Sequence, residues 1–290
     1  MSRLADFGWR GESAPGIGRV TSSHGDYFKI VCDESPQPVL ARKKKSAFAG
    51  KSTKAKTFSS GLIEQVVAGE DSAVKPVTGD FVRFIYNPGG ESMITSVLPR
   101  FSAFERKDPA ARRKSQILAV NFDTLFIMMS VTGNFSLPRL SRYLALSGSM
   151  GRAQAVVVLT KTDLAPGDAQ NRVREAESLG CRAIGISVAT GDGLDALSPY
   201  FAKGETVAFV GSSGVGKSTL LNHLAGEILQ DTQEIQEWSG KGRHTTTVRE
   251  LFLLPSGALA LDTPGVREIG IVGETDILRA KGESTHRWRK

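Results

Sequence analysis

Two rhythms of apolar and polar positions divide the chain. Between Gly16 and about Arg100 short β-prone runs recur: Gly18–Val20, Tyr27–Cys32, Val39–Ala41, Asp80–Tyr86 and Met93–Leu98. Turn signals separate them, among them His24-Gly25-Asp26, Ser35-Pro36, Thr78-Gly79-Asp80 and Asn87-Pro88-Gly89-Gly90. Several short strands closing within roughly 85 residues predict a small all-β barrel of the OB-fold type. Residues 57–75 fit that pattern poorly and read as a long loop carrying a short helix.

From about Gln116 the rhythm changes. Apolar runs at Leu125–Val131, Ala155–Leu159, Ala183–Ile186, Glu205–Val210, Leu251–Leu254 and Ala258–Leu261 predict strands. Helical stretches fall between them at Leu137–Ser147, at Ala169–Leu179 and from about Lys217. This alternation predicts an α/β domain built on a mostly parallel sheet. The expected plan is a flexible leader over residues 1–14, an OB-fold-like barrel over 15–101 and a basic linker over 102–115. The α/β domain follows over 116–277, and a basic tail over 278–290.

Composition changes this picture in one respect. Hydrophobic residues make up 40% and charged residues 23%, as in an ordinary globular protein, but the net charge is +7. A basic excess favours polyanionic partners, either nucleic acid or an anionic membrane. Cys32 and Cys181 stand far apart without a CxxC spacing, so no disulfide framework is expected and a reducing compartment fits. The first ten residues lack the apolar run of a signal peptide. The most apolar stretch, Ile117 to Val131, is broken by Asn121 and Asp123, so it does not read as a membrane span. A cytoplasmic location without a membrane partner is expected.

The strongest chemical signal is Gly211-Ser212-Ser213-Gly214-Val215-Gly216-Lys217-Ser218, followed by Thr219. It matches the phosphate-loop pattern GxxxxGK[ST] in full, with an apolar run before it and an amphipathic one after it. Glycines let the backbone curl so that successive N–H groups point at phosphate oxygens. Lys217 is placed to bridge the β- and γ-phosphates, and the Ser218 hydroxyl to sit on Mg²⁺.

Asp262-Thr263-Pro264-Gly265 ends an apolar run, where Asp262 could hold Mg²⁺ through water and the Gly265 N–H could meet the γ-phosphate. Thr160-Lys161-Thr162-Asp163 has the [NT]KxD form that reads guanine, because its carboxylate accepts from both N1–H and N2–H₂. Adenine lacks that donor pair, and a site built for it leaves an acceptor unpaired with the wrong base. Ser187-Val188 follows the next expected strand, where a backbone N–H could meet the guanine O6. Gly242-Arg243-His244-Thr245-Thr246-Thr247 lies between the phosphate-loop helix and Asp262. A loop there could place a threonine on Mg²⁺, with Thr246 favoured among the three.

The order of these motifs is informative. In Ras-like GTPases the base-reading motifs follow the phosphate loop, whereas here they precede it. The sequence resembles the ribosome small-subunit-dependent GTPases, the RsgA/YjeQ family. The resemblance rests on the permuted order, on GSSGVGKST, GRHTTT and LDTPGVRE, and on the preceding β-rich region. It runs from about Gly16 to about Ile271.

The resemblance implies an N-terminal OB-fold, a circularly permuted GTPase domain, GTP or GDP with Mg²⁺ as ligands, and a role in late maturation of the 30S subunit. It implies slow hydrolysis that the subunit and its 16S rRNA stimulate, with ribosome-binding factor A as a further candidate partner and a monomeric state. Family members add a zinc domain with three cysteines and a histidine. This sequence has no cysteine after Cys181, so zinc is not expected in it. Val188 stands where the family has alanine.

Val266 follows Gly265, where Ras-like enzymes place a water-orienting Gln, so intrinsic hydrolysis should be slow. His244 is a candidate for positioning that water, and equally a loop residue that touches RNA or solvent. Arg42-Lys43-Lys44-Lys45, continuing through Lys51, Lys54 and Lys56, holds seven positive charges and no acid. It reads as a phosphate-facing RNA-binding loop. Two alternatives to a ribosome-assembly GTPase remain: an RNA-binding module with a weakly active or vestigial GTPase part, and a P-loop kinase or ATPase. TKTD opposes the last.

Overall fold

A computed structural model describes residues 2–44, 74–107, 115–133, 135–226 and 249–263. The barrel comprises β1 (Ile17–His24), β2 (Tyr27–Cys32), β3 (Val39–Lys43), β4 (Phe81–Ile85) and β5 (Ser92–Val97). Its strands pair in the order β1-β2-β3-β5-β4, and β4 returns to β1, so the barrel is closed. Closure removes the unpaired edges that an open sheet would expose. Period-two alternation decides what points inward: Val20, Phe28, Ile30, Ala41, Val82, Phe84 and Ile94 fill the interior.

The α/β unit contains β8 (Thr124–Ser130), α2 (Leu137–Ser147), β9 (Gln154–Thr160), α3 (Pro166–Glu177) and β10 (Arg182–Gly185). The chain then returns to β11 (Thr206–Gly211), α4 (Lys217–Ala225), β12 (Glu250–Leu253) and β13 (Leu259–Asp262). In space the strands run β10-β9-β8-β11-β13-β12, parallel except for β12. Every residue of β8 and β11 is buried, as expected of central parallel strands covered on both faces. Leu125, Ile127, Met129, Leu140 and Tyr143 pack on one face. Phe126, Met128, Phe209, Leu220 and Leu221 pack on the other. The winding direction reverses between β8 and β11, which opens a crevice at the carboxyl ends of those two strands.

Three features depart from the expected plan. The leader is not loose: α1 (Arg3–Asp6) is capped by Ser2, and Leu4 is buried against Ile17 and Phe81. Asp33 holds it in place, accepting from Ser2 Oγ at 2.8 Å and from the Leu4 N–H at 2.9 Å. The expected basic linker contains a strand among its described residues: β6 (Ala103–Lys107) pairs antiparallel with β7 (Ser115–Val120). Glu105, Arg106 and Lys107 fill the second half of β6 and leave too short an apolar pattern to mark a strand. The third departure is that barrel and α/β unit share one sheet, because β12 pairs with β1 at Glu250 and Ser22.

Arg19 closes that joint. It projects from β1 and is 1% exposed. Its guanidinium donates to the Phe7 and Asn121 carbonyls at 2.7 Å each, to Thr206 Oγ1 at 3.0 Å and to the Gly79 carbonyl at 3.4 Å. It also lies 4.8 Å from the centre of the Phe81 ring. Burial lowers its pKa to about 9, which leaves it charged at neutral pH. Thr206 begins β11, so a barrel side chain anchors the strand that carries the phosphate loop.

Candidate nucleotide site

Residues 211–216 connect β11 to α4 at the reversal crevice. The loop can pass close to β8 only because Gly211 lacks a side chain: a Cβ there would lie 2.5 Å from the Met128 carbonyl. Gly216 precedes α4 with φ of +97°, a conformation that L side chains rarely adopt. Together they aim the free N–H groups at the start of α4 into the crevice, where an anion is favoured.

Lys217 folds back over this loop. Its ammonium donates to the Gly211 carbonyl at 2.7 Å and the Ser212 carbonyl at 2.9 Å. An ammonium has three donors, so one is left for a phosphate oxygen. Burial lowers the Lys217 pKa, and the nearby Asp262 carboxylate opposes that shift. Burial also raises the Asp262 pKa, Lys217 opposes it, and Glu250 adds to it. Glu250 sits directly opposite Asp262 across β12 and β13, a like-charge pairing that is unfavourable by itself. A divalent cation would relieve it. The Ser218 hydroxyl and the Asp262 carboxylate supply the hard oxygen donors that Mg²⁺ prefers.

The Thr160-Lys161-Thr162-Asp163 segment leaves β9 beside the same crevice and is tied to the phosphate loop at two points. Thr160 Oγ1 donates to the Val215 carbonyl at 2.5 Å. Lys161 Nζ donates to the Gly214 carbonyl at 2.8 Å. Lys161 has φ of +61°, a left-handed conformation costing about 1–2 kcal/mol for a residue with a side chain. Strain of this kind persists where the surroundings hold it in place. Ser187 Oγ donates to Asp163 Oδ1 at 2.6 Å, which fixes the carboxylate of the Thr160–Asp163 motif. Val188 packs its side chain against the core on the α4 side of the sheet.

The fold therefore brings Thr160–Asp163, Ser187–Val188, Gly211–Thr219 and Asp262 to one end of the sheet. His244, Thr246 and Gly265 lie outside the described residues, as does Lys45. Arg42 and Lys43 belong to β3 instead of a loop, and each meets an acid absent from its own run: Glu91 at 2.9 Å and Asp26 at 3.0 Å. One neighbour escaped the sequence reading. Arg139, in the first turn of α2, donates to Ser212 Oγ at 3.4 Å. No motif marks it, because its position depends on how α2 packs beside β11.

The site and sheet define a P-loop nucleotide-binding domain, circularly permuted so that the strands leading to Thr160–Asp163 and Ser187–Val188 precede the strand that leads to the phosphate loop. The RsgA GTPase family model matches residues 97–272. The chain belongs to the RsgA GTPase family.

Among its relatives is a small ribosomal subunit biogenesis GTPase RsgA from Methanosarcina acetivorans. The two are 46% identical over 198 residues, which is 67% of this chain and 53% of that protein. The protein so named with the suffix 2 from Lactiplantibacillus plantarum is 38% identical over 257 residues, 88% of this chain and 66% of that one. The chain thus spans from about half to just under two thirds of the length of these curated relatives.

Two solved structures share the fold. YjeQ from Thermotoga maritima is 24% identical with a TM-score of 0.58, covering 86% of this chain and 74% of that one. YloQ, titled a circularly permuted GTPase, is 20% identical with a TM-score of 0.52, covering 92% of this chain and 76% of that one.

Proposed function

We propose that this protein hydrolyses GTP to GDP and phosphate, and that it does so on the small ribosomal subunit during late maturation. The observation that carries the nucleotide part is the tie between Ser187 and Asp163, at the crevice that also holds the phosphate loop. A carboxylate held by a serine presents its other lone pairs to the N1–H and N2–H₂ donors of guanine. The relatives' printed name, small ribosomal subunit biogenesis GTPase, supports the partner. So does the net charge of +7, which suits 16S rRNA. In this reading residues 15–101 face RNA, and 116–277 bind and hydrolyse the nucleotide.

Backbone N–H groups of residues 211–218 would cradle the phosphates while Lys217 neutralises charge that develops on them. Mg²⁺ held by Ser218 and Asp262, with Thr246 completing the set, would supply further charge stabilisation when bound. Val266 offers no group to orient water. In this reading intrinsic turnover is slow, and His244 positions the attacking water when the subunit is bound.

The test is GTP turnover with and without purified 30S subunits, with ATP as competitor. Stimulation by 30S and no displacement by equimolar ATP are expected. ATP displacing GTP would overturn guanine specificity, and unchanged turnover with 30S would overturn the ribosomal role. An unstimulated protein that still binds 30S would instead favour an RNA-binding module with a vestigial GTPase part.

A further inference from the structure

The outer face of the barrel carries a cross-strand row that neither the fold nor the nucleotide site explains. Tyr27 on β2 is paired with Arg42 on β3, Arg42 with Met93 on β5, and Met93 with Ile85 on β4. Direct partners in register share a face, so these four side chains form one line, about 14 Å long at the usual strand spacing. All are exposed: Tyr27 36%, Met93 42% and Ile85 59%, with Arg42 between them. Leu40, 44% exposed, stands beside the line opposite Lys29. Four of the few large exposed hydrophobics among the described residues thus cluster on one patch.

The patch is cationic as well as apolar. Lys29 on β2 and Arg83 on β4 are exposed, as is Lys44 just past the end of β3; Glu91, which holds Arg42, and Asp26, which holds Lys43, are acids nearby. The Arg42 guanidinium lies 4.4 Å from the centre of the Tyr27 ring. A guanidinium beside an aromatic ring makes a joint cationic and aromatic surface on which a flat group can lie. Apolar and aromatic faces interleaved with cations match single-stranded RNA, whose bases stack while its phosphates seek positive charge. A protein partner would favour a continuous apolar core with its charges at the rim.

From this we infer that the Tyr27–Arg42–Met93–Ile85 row is a stacking platform for unpaired bases of an RNA strand, with Lys29, Lys44 and Arg83 tracking its phosphates. The inference rests on the RNA-facing reading of the barrel and adds that the strand is single and its bases splayed. Duplex RNA buries its base faces and offers the row nothing to stack on.

The experiment uses the whole chain, a 12-nucleotide single-stranded RNA and its duplex, with fluorescence anisotropy at several salt concentrations. Tyr27→Ala and Met93→Ala should each weaken single-strand binding by about 5- to 100-fold, the range expected for losing one stacked base. The slope of affinity against salt should stay unchanged. Lys44→Gln should instead lower that slope by about 0.7. A 4-thiouridine strand should crosslink to the wild-type protein within residues 27–29 or 93–95, a readout that needs no variant to fold.

Wild-type affinity in both alanine variants, equal affinity for duplex, or crosslinks confined elsewhere would each overturn the platform. A dimer that Met93→Ala dissolves, with RNA binding intact, would assign the patch to a second copy and overturn it as well. Stimulation of wild-type turnover by 30S separates the two readings: if it persists while the alanine variants bind RNA normally, the platform fails and the proposed function stands.

Discussion

Arg19→Met tests whether one buried guanidinium joins the two parts of the molecule. Methionine fills much of the same space but donates nothing. Three close acceptors, the Phe7 and Asn121 carbonyls and Thr206 Oγ1, lose their donor. Each buried acceptor left unsatisfied costs about 1–3 kcal/mol. Against that, the variant no longer buries a cation, a relief of several kcal/mol. Among the described residues only the Gly79 carbonyl has a second donor, Asn121 Nδ2 at 3.1 Å, so the loss at the Phe7 and Asn121 carbonyls outweighs the relief. A net destabilisation of about 3 kcal/mol is expected, or roughly 6–12 °C in Tm for a chain of this size. Arg10→Ala is the control. Arg10 pairs with Asp123 and Glu205 at 2.9 Å each, but its side chain is 44% exposed, and solvent screens it. It should cost less than about 1 kcal/mol. Thermal unfolding followed by far-UV circular dichroism measures both. Arg19→Met melting within 2 °C of wild type would refute the argument, and so would an Arg10→Ala loss as large as that of Arg19→Met.

Three further outcomes follow from the site. Ser187→Ala removes the 2.6 Å donor to Asp163, so GTP affinity should fall about tenfold or more with little change for ATP, read by competition with a fluorescent nucleotide. Gly211→Ala would put a Cβ 2.5 Å from the Met128 carbonyl, so phosphate binding should be lost while the far-UV spectrum remains folded. The raised Asp262 pKa carries a sign: the folded chain holds this proton to higher pH than the unfolded one. Between the ordinary carboxylate pKa and the raised value, this group's contribution to stability therefore declines as pH rises. Mg²⁺ needs the deprotonated form, so Mg²⁺-dependent nucleotide affinity should weaken on acidification at a higher pH than an ordinary aspartate would show, and Asp262→Asn should flatten that profile.

Much of this was legible in the residues. A phosphate loop is local, since its glycines, lysine and serine act within eight consecutive positions. TKTD and Ser187-Val188 are equally local, and their place before Gly211 identified the permutation. Apolar runs, alternating in the barrel and continuous in the central parallel strands, located all strands but β6 and β7 to within a few residues. Other features depend on residues far apart in sequence. Lys43 and Arg42 read as free charge because Asp26 and Glu91 lie outside their run. Arg139 carries no motif. The 102–115 stretch read as a linker because β6 is short and half charged, and the partner strand that gives Phe104 its buried setting, β7, begins only at Ser115.

The sequence by itself determined the class of each half and the order of the motifs along the chain. Those follow from side-chain identity and short-range periodicity, which no partner element needs to supply. Only the tertiary structure decided how the halves meet: that β12 adds to β1, that Arg19 reaches the strand carrying the phosphate loop, and that Tyr27, Arg42, Met93 and Ile85 line up across four strands. The physical reason is that strand register and burial of one side chain by three distant backbone segments are properties of the packed chain. They leave no periodic trace in any one segment.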